Sequence, residues 1–159
     1  KIELLSRHSD LLGEPSGFHI EPIPTDEDSH SLSAIIMDDD YYDFTVHHTD
    51  EIDGLLVANS KALIVLKANA YMNLLKEREA GRQVNSKDIR KHRSDVLKLV
   101  ATGSYPDPQP VNSKIYASIR LFLEEVNQHR QSLADALDTP IEAIDAYLDI
   151  LRNEIFIEE

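Results

Sequence analysis

The residues best suited to chemistry lie in one short basic segment, residues 87–99 (KDIRKHRSDVLKL). Lysine and arginine side chains bind phosphate or carboxylate groups, and the aspartates between them could position a substrate. From Arg82 to Lys98, six basic residues stand against two acidic ones, so the local charge is +4 in a chain whose formal net charge is −13. This reversal of sign predicts a localised anion-binding surface.

The basic segment has the periodicity of an amphipathic helix. Ile89, Val96 and Leu99 fall on one face at a period near 3.6 residues, and the remaining surface is strongly basic. His92 follows Lys91, and basic neighbours disfavour the charged form of an imidazole. We therefore expect His92 to have a packing or surface role rather than a catalytic one.

Four charged residues of this helix are candidate site residues. Lys87, Lys91 and Asp95 are spaced four apart on one face, and Asp88 follows Lys87. In one interpretation these residues line a cleft that positions a substrate. In the other they form a solvated face, on which Lys91 and Asp95 make an exposed ion pair contributing about 0.3 kcal/mol.

A further lysine, Lys67, lies in a segment that is apolar on three sides. Leu63 and Tyr71 occupy the positions four residues away in either direction, so no acid there can pair with its ammonium group. A charge among apolar side chains needs a polar partner or solvent. We therefore expect Lys67 to meet a carboxylate or phosphate from outside its own helix.

Two other polar clusters have simpler interpretations. Three consecutive aspartates, residues 38–40, end a predicted strand and favour turn formation and helix capping over metal binding. The adjacent histidines in residues 47–50 would point to opposite faces of a strand, and no further ligand stands at zinc spacing. We assign no metal to either cluster.

The composition limits the class of protein and of partner. With 159 residues, of which 42% are hydrophobic, the chain can bury the core of one domain, with or without a small helical appendage. The excess of 29 acidic over 16 basic residues excludes binding of DNA across the whole surface. Cysteine is absent, and no apolar run approaches the ~18 residues of a membrane span. We expect a cytoplasmic protein that does not bind membranes.

Turn residues and periodicity predict an α+β fold with a strand-rich beginning and a helical remainder. Strands are predicted at Ile2–Ser6, Phe18–Ile23, Leu32–Met37 and Leu55–Ala58. Helices are predicted at Tyr41–Val46 with an aspartate cap, from Ser60 to Gly81, from a cap at Ser86 to Gly103, from Ser113 to Glu125, at Ser132–Leu137, and after a cap at Thr139 with Pro140 as the first helical residue. The alternative of a strand at Tyr41–Val46 is less favoured.

A proline-rich stretch predicts the domain organisation. Residues 104–110 contain three prolines within five positions, which is typical of a linker. The sequence therefore divides into an α+β unit at 1–103, this linker, and a helical appendage at 111–159.

Three passages resemble nucleotidyltransferase-like proteins of the AbiEii toxin type, a group of uncharacterised bacterial proteins. They are SKALIVLKANA at 60–70, the basic segment at 87–99, and LSAIIMDDDYY at 32–42. The resemblance covers roughly residues 1–100. It implies a small mixed sheet that completes a nucleotidyltransferase-like core, followed by the helical appendage.

By this resemblance, the intact protein transfers a nucleotidyl group from an NTP, with Mg²⁺, to an RNA or protein acceptor, either as a toxin or in housekeeping modification. The family's glycine-serine turn and paired carboxylates are absent, so we expect a C-terminal portion that is inactive alone. The implied roles are catalysis for Glu3, Lys67, Asp88 and Asp95, metal binding for Glu3, and substrate binding for Lys87 and Lys91.

A rival hypothesis needs no catalysis. The basic helix at 86–99 would dock on an acidic partner, and the acidic remainder of the chain would keep the protein in solution. A hydrolase built from residues 38–40 and His47 has no supporting spacing. The identity of the nucleotide and acceptor, and the oligomeric state, stay open.

Overall fold

The computed structural model describes residues 2–7, 19–22 and 32–159, which form a mixed α+β fold in which helices predominate. The predicted α+β class is confirmed. The strands are β1 (Ile2–Arg7), β2 (His19–Pro22), β3 (Leu32–Met37), β4 (Thr49–Ile52), β5 (Leu55–Ala58), β6 (Gln109–Val111) and β7 (Phe156–Glu158). The helices are α1 (Asp39–His47), α2 (Ser60–Glu79), α3 (Ser86–Thr102), α4 (Ser113–Gln128), α5 (Arg130–Leu137) and α6 (Ile141–Ile150), with a π-helical turn at Leu151–Ile155.

The first sheet has the strand order β1-β3-β2. β1 runs parallel to β3, and β2 runs antiparallel to β3. The predicted strands at Ile2–Ser6, Leu32–Met37 and Leu55–Ala58 are confirmed to within one residue, whereas the ends of Phe18–Ile23 lie outside the described residues. This sheet is mixed; the nucleotidyltransferase-like core that the resemblance implies stays a prediction.

A tight hairpin joins β4 to β5. Asp53 and Gly54 at its turn have φ values of 52° and 78°, a left-handed pair that Asp-Gly adopts readily in two-residue hairpin turns. The sequence analysis missed β4 because two of its four residues, Asp50 and Glu51, are poor strand formers.

Short polar side chains fix where helices α1 to α4 begin. Asp38 caps α1 by accepting the backbone N–H of Tyr41 at 3.3 Å, which confirms the predicted aspartate cap. Asn59 caps α2, accepting from the N–H groups of Lys61 and Ala62. These bonds satisfy donors that the first helical turn leaves without a partner.

Two predicted caps were wrong by one residue. The cap of α3 is Asn85 rather than Ser86, because the Asn85 side chain already accepts the N–H of Lys87 at 2.9 Å. At α6, Pro140 takes the cap position, since its carbonyl accepts the N–H groups of Ala143 and Ile144. The N–H of Thr139 instead donates to the Ala134 carbonyl at the end of α5.

Helix α2 lies at the centre of the hydrophobic core. It packs against α3 on one side and α4 on another, and α6 covers α3 and α5. The Tyr71 ring of α2 meets the Phe122 ring of α4 edge-on, with centroids 5.4 Å apart. One continuous cluster of buried side chains runs from Met37 to Phe156, so elements from both ends of the described chain share one core.

The stretch predicted as a linker is anchored to the helices. The Tyr105 hydroxyl donates to the Leu99 carbonyl at 2.9 Å, and Lys61 donates to the Asp107 carbonyl at 3.2 Å. β6 then pairs in parallel with β7. A Cβ on Gly103 would lie 2.2 Å from the Tyr105 hydroxyl, so a larger residue there would displace the Tyr105 ring. The boundaries at 103 and 111 stay a prediction, although the core continues across them.

Candidate functional site

Helix α3 carries the candidate site, and its inner face is set by a stripe of buried residues. Ile89, Arg93, Val96 and Val100 recur at intervals of three and four, the spacing of one helix face. The apolar members pack on α2 and α6. Arg93 lies in the middle of this stripe and is only 7% exposed. Counting Arg93 with the exposed basic surface was therefore wrong.

Lys67 finds its partner on α3. Its Nζ lies 2.8 Å from Oδ2 of Asp95, and the two side chains are 25% and 24% exposed. The expectation of a partner outside its own helix is confirmed. The exposed pair between Lys91 and Asp95 does not form, because the Asp95 carboxylate faces α2 and accepts a hydrogen bond from the Lys67 ammonium instead.

His92 lies beside this ion pair. Burial is the main cause that lowers the pKa of its imidazole, and the positive charges of Lys67 and Lys91 lower it further, whereas Asp95 and Asp88 oppose the shift. The ring is therefore neutral at pH 7. Its Nδ1 is buried without a hydrogen-bond partner among the residues that the structure describes. The predicted packing role, with the charged form disfavoured, agrees with these surroundings.

Arg93 is a buried cation without an acidic partner among the described residues. One guanidinium nitrogen donates to the Ser132 hydroxyl on α5 at 3.4 Å, and Nε has no partner in the described part of the chain. Burial raises the pKa of the Tyr71 hydroxyl, and the positive charge of Arg93 partly offsets that rise. Arg93 thus connects α2, α3 and α5 through neutral groups.

The outer face of α3 is basic and open to solvent. Four side chains on it are exposed, and none forms an ion pair with another described residue. Positions 87, 91 and 98 follow one another along the helix, with position 90 beside them. We call this surface the basic stripe; its members are Lys87, Arg90, Lys91 and Lys98.

The predicted site residues therefore fall into separate groups. Lys67 and Asp95 are in contact, while Lys87, Asp88 and Lys91 are exposed on the same helix as Asp95. Asp88 lies in the first turn of α3, where a negative charge complements the helix dipole. Glu3 lies in β1, in register with Ser33 of β3, and its side chain is outside what the structure describes.

The aspartates at 38–40 have partners from α4. Lys114 lies 3.1 Å from Asp38 and 3.2 Å from Asp40, and Asn112 donates to Asp40 at 2.9 Å. Burial alone would lower the pKa of Lys114, but the hydrogen bonds to Asp38 and Asp40 outweigh it and raise the pKa. Capping and ion pairing account for the cluster, as predicted from turn chemistry.

The side chains of the described residues do not support a metal site. Within the described residues, no group of three or more histidine, aspartate or glutamate side chains could hold a metal ion. His47 and His48 each hydrogen-bond a backbone carbonyl of α1 at 2.7 Å, and the His48 ring stacks on Phe44 with centroids 4.0 Å apart. Both imidazole rings therefore make their contacts within or next to α1.

A groove between α4 and the π-helical turn was missed by the sequence analysis. It encloses about 350 Å³, and four buried apolar side chains form its floor. Its residues come from chain positions about thirty apart, and no motif connects them. The floor residues are Ile119, Leu123, Leu151 and Phe156, and the polar rim includes Arg120, Glu124, Asn127, Arg152 and Asn153.

Comparison with known proteins leaves the site to be interpreted from its own chemistry. Neither the models of protein families, nor the curated proteins, nor the solved structures include a match to this chain. As for membranes, no helix in the described ranges is both long enough and apolar enough to cross one.

Proposed function

We propose that this chain is a non-catalytic interaction module that binds an acidic segment of a partner protein through the basic stripe. The observation that carries the proposal is four exposed cations on one helix face without an ion pair to any described residue. The formal net charge is −13, so acids are plentiful in the chain. Cations kept apart from them are available to an external anion.

Clustering on one helix face makes the stripe distinctive. Elsewhere in the described chain, five lysines and arginines are matched with a carboxylate within 4 Å, the widest pair being Arg130 with Asp145 at 3.7 Å. Those paired cations are Lys67, Arg82, Lys114, Arg130 and Arg152. Lys76, Arg78 and Arg120 are exposed without such a pair to a described residue, but they do not gather on one helix face.

The dimensions of the stripe favour a short peptide. Lys87 and Lys98 are eleven residues apart, which is ~16 Å along a helix at 1.5 Å per residue. An extended segment covers that length with about five residues. A longer nucleic acid would run onto the acidic remainder of the surface, which repels phosphates. A protein segment rich in aspartate and glutamate is therefore the partner we propose.

Fluorescence anisotropy tests this proposal with a labelled octaglutamate peptide and, in parallel, a labelled oligothymidylate. The stripe variant is Lys91→Gln with Lys98→Gln. Its matched control is Lys76→Gln with Arg130→Gln, which changes the net charge equally on α2 and α5. We expect the stripe variant to bind the peptide about tenfold more weakly, because two charge contacts of about 0.7 kcal/mol each are lost.

Several results would contradict the proposal. Equal loss in the stripe variant and its control would mean that only net charge matters. Preference for the oligothymidylate at matched salt would replace the protein partner by a nucleic acid. Absence of peptide binding by the unmodified chain would remove the stripe as a binding surface.

A second candidate function is the nucleotidyltransferase implied by the AbiEii-type resemblance, with an NTP as substrate and an RNA or protein acceptor. The specific observation in its favour is the contact between Lys67 and Asp95, two residues that the resemblance assigns to catalysis. Lys87 and Lys91 would bind the triphosphate, and Glu3 would contribute to the Mg²⁺ site. The metal would neutralise charge on the phosphates.

Calorimetry of each of the four NTPs with Mg²⁺ separates the two candidates. Nucleotide binding that is lost in Lys67→Ala and retained in the control Lys76→Ala would favour the transferase. Peptide binding without measurable heat from any nucleotide would favour the interaction module.

A further inference from the structure

The β4–β5 hairpin exposes more apolar surface than any other described element. Ile52 is 57% exposed, Leu55 71%, Leu56 72% and Val57 42%. With Val46 just before them on α1, they are five of the seven exposed large hydrophobic residues in the described chain. Exposed apolar side chains concentrated in one hairpin in this way mark an interaction site.

Both faces of the hairpin contribute to this apolar surface. Ile52 stands opposite Leu55, and Asp50 opposite Val57, so Ile52, Leu55 and Val57 share one face. Leu56 stands opposite Glu51 on the other face. A partner that stacked on one face would leave the other uncovered, whereas a strand added at an edge contacts both faces.

The outer edges of the hairpin are unpaired within the described chain, since β4 and β5 form a sheet of two strands. Two strands alone are marginally stable, and an open edge offers a row of free N–H and C=O groups. Charged side chains protect such edges in many proteins. β4 has Asp50 and Glu51, but β5, with the sequence Leu-Leu-Val-Ala, has no charge.

We propose that β5 pairs antiparallel with β5 of a second copy of this chain, across a two-fold axis, to form a four-stranded sheet. In this arrangement the two β4 strands are the outer strands, three spacings or ~14 Å apart. That exceeds the Debye length of ~8 Å at physiological salt, so repulsion between their acids is screened. Pairing through β4 would instead place the two β4 strands next to each other, so their acids would be one strand spacing apart, ~5 Å.

The sequence of β5 suits pairing with itself. A two-fold axis through Leu56 places Leu55 opposite Val57 of the second copy, and Leu56 opposite its own counterpart. Every cross-strand pair at the centre is then aliphatic, and such pairs stabilise sheets by about 0.2–1 kcal/mol each. This surface is separate from the basic stripe, so the dimer does not depend on the proposed acidic partner.

Sedimentation velocity on the full chain tests the dimer. The mass of one chain is 18.0 kDa, and we expect a species of twice that mass. Leu56→Lys puts two like charges opposite each other on the axis and should give the monomer, with an unchanged helical circular dichroism spectrum. The control is Leu121→Lys, at a position 48% exposed on α4, and it should remain a dimer.

A second measurement holds even if Leu56→Lys fails to fold. The chain has no cysteine, so Leu56→Cys introduces one thiol, which should form a disulfide across the axis under mild oxidation because directly paired strands bring Cα atoms within 6.8 Å. Leu121→Cys should not cross-link. Three results would each overturn the proposal: a monomeric unmodified chain, a dimer that survives Leu56→Lys, or equal cross-linking by both cysteine variants. If the unmodified chain is a monomer, the β5 edge is free to pair with a strand of another protein.

Discussion

The two faces of α3 carry similar residues in opposite surroundings. On the inner side, Arg93, His92 and Asp95 are buried or half-buried, and among the described residues only Asp95 has an ion-pair partner, Lys67. On the outer side, the basic stripe is exposed and has no partner among the described residues. Charged residues on the two faces therefore have different effects on folding and binding, and their burial rather than their charge decides which effect each has.

The inner polar groups are coupled to folding, because water has been removed from them. A desolvated charge or ring nitrogen costs free energy unless the protein supplies a partner. The outer cations keep their hydration, so their removal changes the electrostatic potential outside the protein more than the stability of the fold. Substitutions on the inner face should thus alter the free energy of unfolding, and those on the outer face should alter binding.

The largest expected effect is at Arg93. Arg93→Ala should lower the free energy of unfolding by about 3 kcal/mol, because the buried stem leaves a cavity between α2, α3 and α5. Arg93→Met should change it by less than about 1 kcal/mol, since it fills the space and removes an unpaired buried charge. Urea unfolding followed by circular dichroism measures both. Equal losses of stability in the two variants would mean that the charge of Arg93, rather than the packing of its side chain, stabilises the fold.

The next effect is at the ion pair of Lys67 and Asp95. A double-mutant cycle with Lys67→Ala and Asp95→Ala should give a coupling energy of about 1 kcal/mol, above that of a surface pair because both side chains are three-quarters buried. The matched control is Arg130 with Asp145, at 3.7 Å and about half exposed. Its coupling should be below about 0.5 kcal/mol. Equal coupling energies in the two cycles would mean that the pair of Lys67 and Asp95 stabilises the fold no more than a surface ion pair does.

His92 should make stability depend on pH. Its pKa in the folded protein lies below the ordinary 6.5, so the unfolded chain binds more protons between those two values. Its contribution to stability is complete above pH 6.5 and is lost as the pH falls below it, with a slope smaller than about 1.4 kcal/mol per pH unit.

Urea unfolding at several values from about pH 5 to 8 measures that slope. His92→Gln should reduce it, whereas His47→Gln, at an exposed position on α1, serves as the control. If the His92 variant and the unmodified chain lose stability in parallel on acidification, the ring does not titrate with folding.

The smallest effect on stability is expected on the outer face. Lys91→Gln with Lys98→Gln should change the free energy of unfolding by no more than about 0.5 kcal/mol, because exposed cations without partners contribute little. The same urea measurement applies. A loss comparable to that of Arg93→Ala would show that the stripe is structural, and would break the contrast between the two faces.

The helices were largely predictable because their signals are local. The asparagine at 59 and the glycines at 81 and 103 stand at helix ends, and α2 and α3 lie between them. The cap at Ser86 was misassigned because the neighbouring Asn85 accepts the first N–H groups of α3, and the cap at Thr139 because the Pro140 carbonyl accepts the first N–H groups of α6. The strand β6 and its partner β7 were missed because parallel pairing of segments about 45 residues apart leaves no local pattern.

The candidate site was predictable only in its composition. The spacing of Lys67 showed that it needed a partner from outside its helix, but not that the partner would be Asp95. Asp95 seemed equally suited to Lys91, four residues away on the same helix. The rotation of α3 against α2 settled the choice. The groove lined by Arg120 and Arg152 gave no signal at all.

The sequence by itself determined the α+β class, the extents of the main helices and the reversal of charge along α3, because capping, periodicity and charge depend on residues within a few positions of one another. Only the tertiary structure decided which charges are buried, which are paired and which are free. Burial and pairing depend on how α2, α3 and α5 pack together, and packing brings together residues whose separation along the chain carries no local pattern.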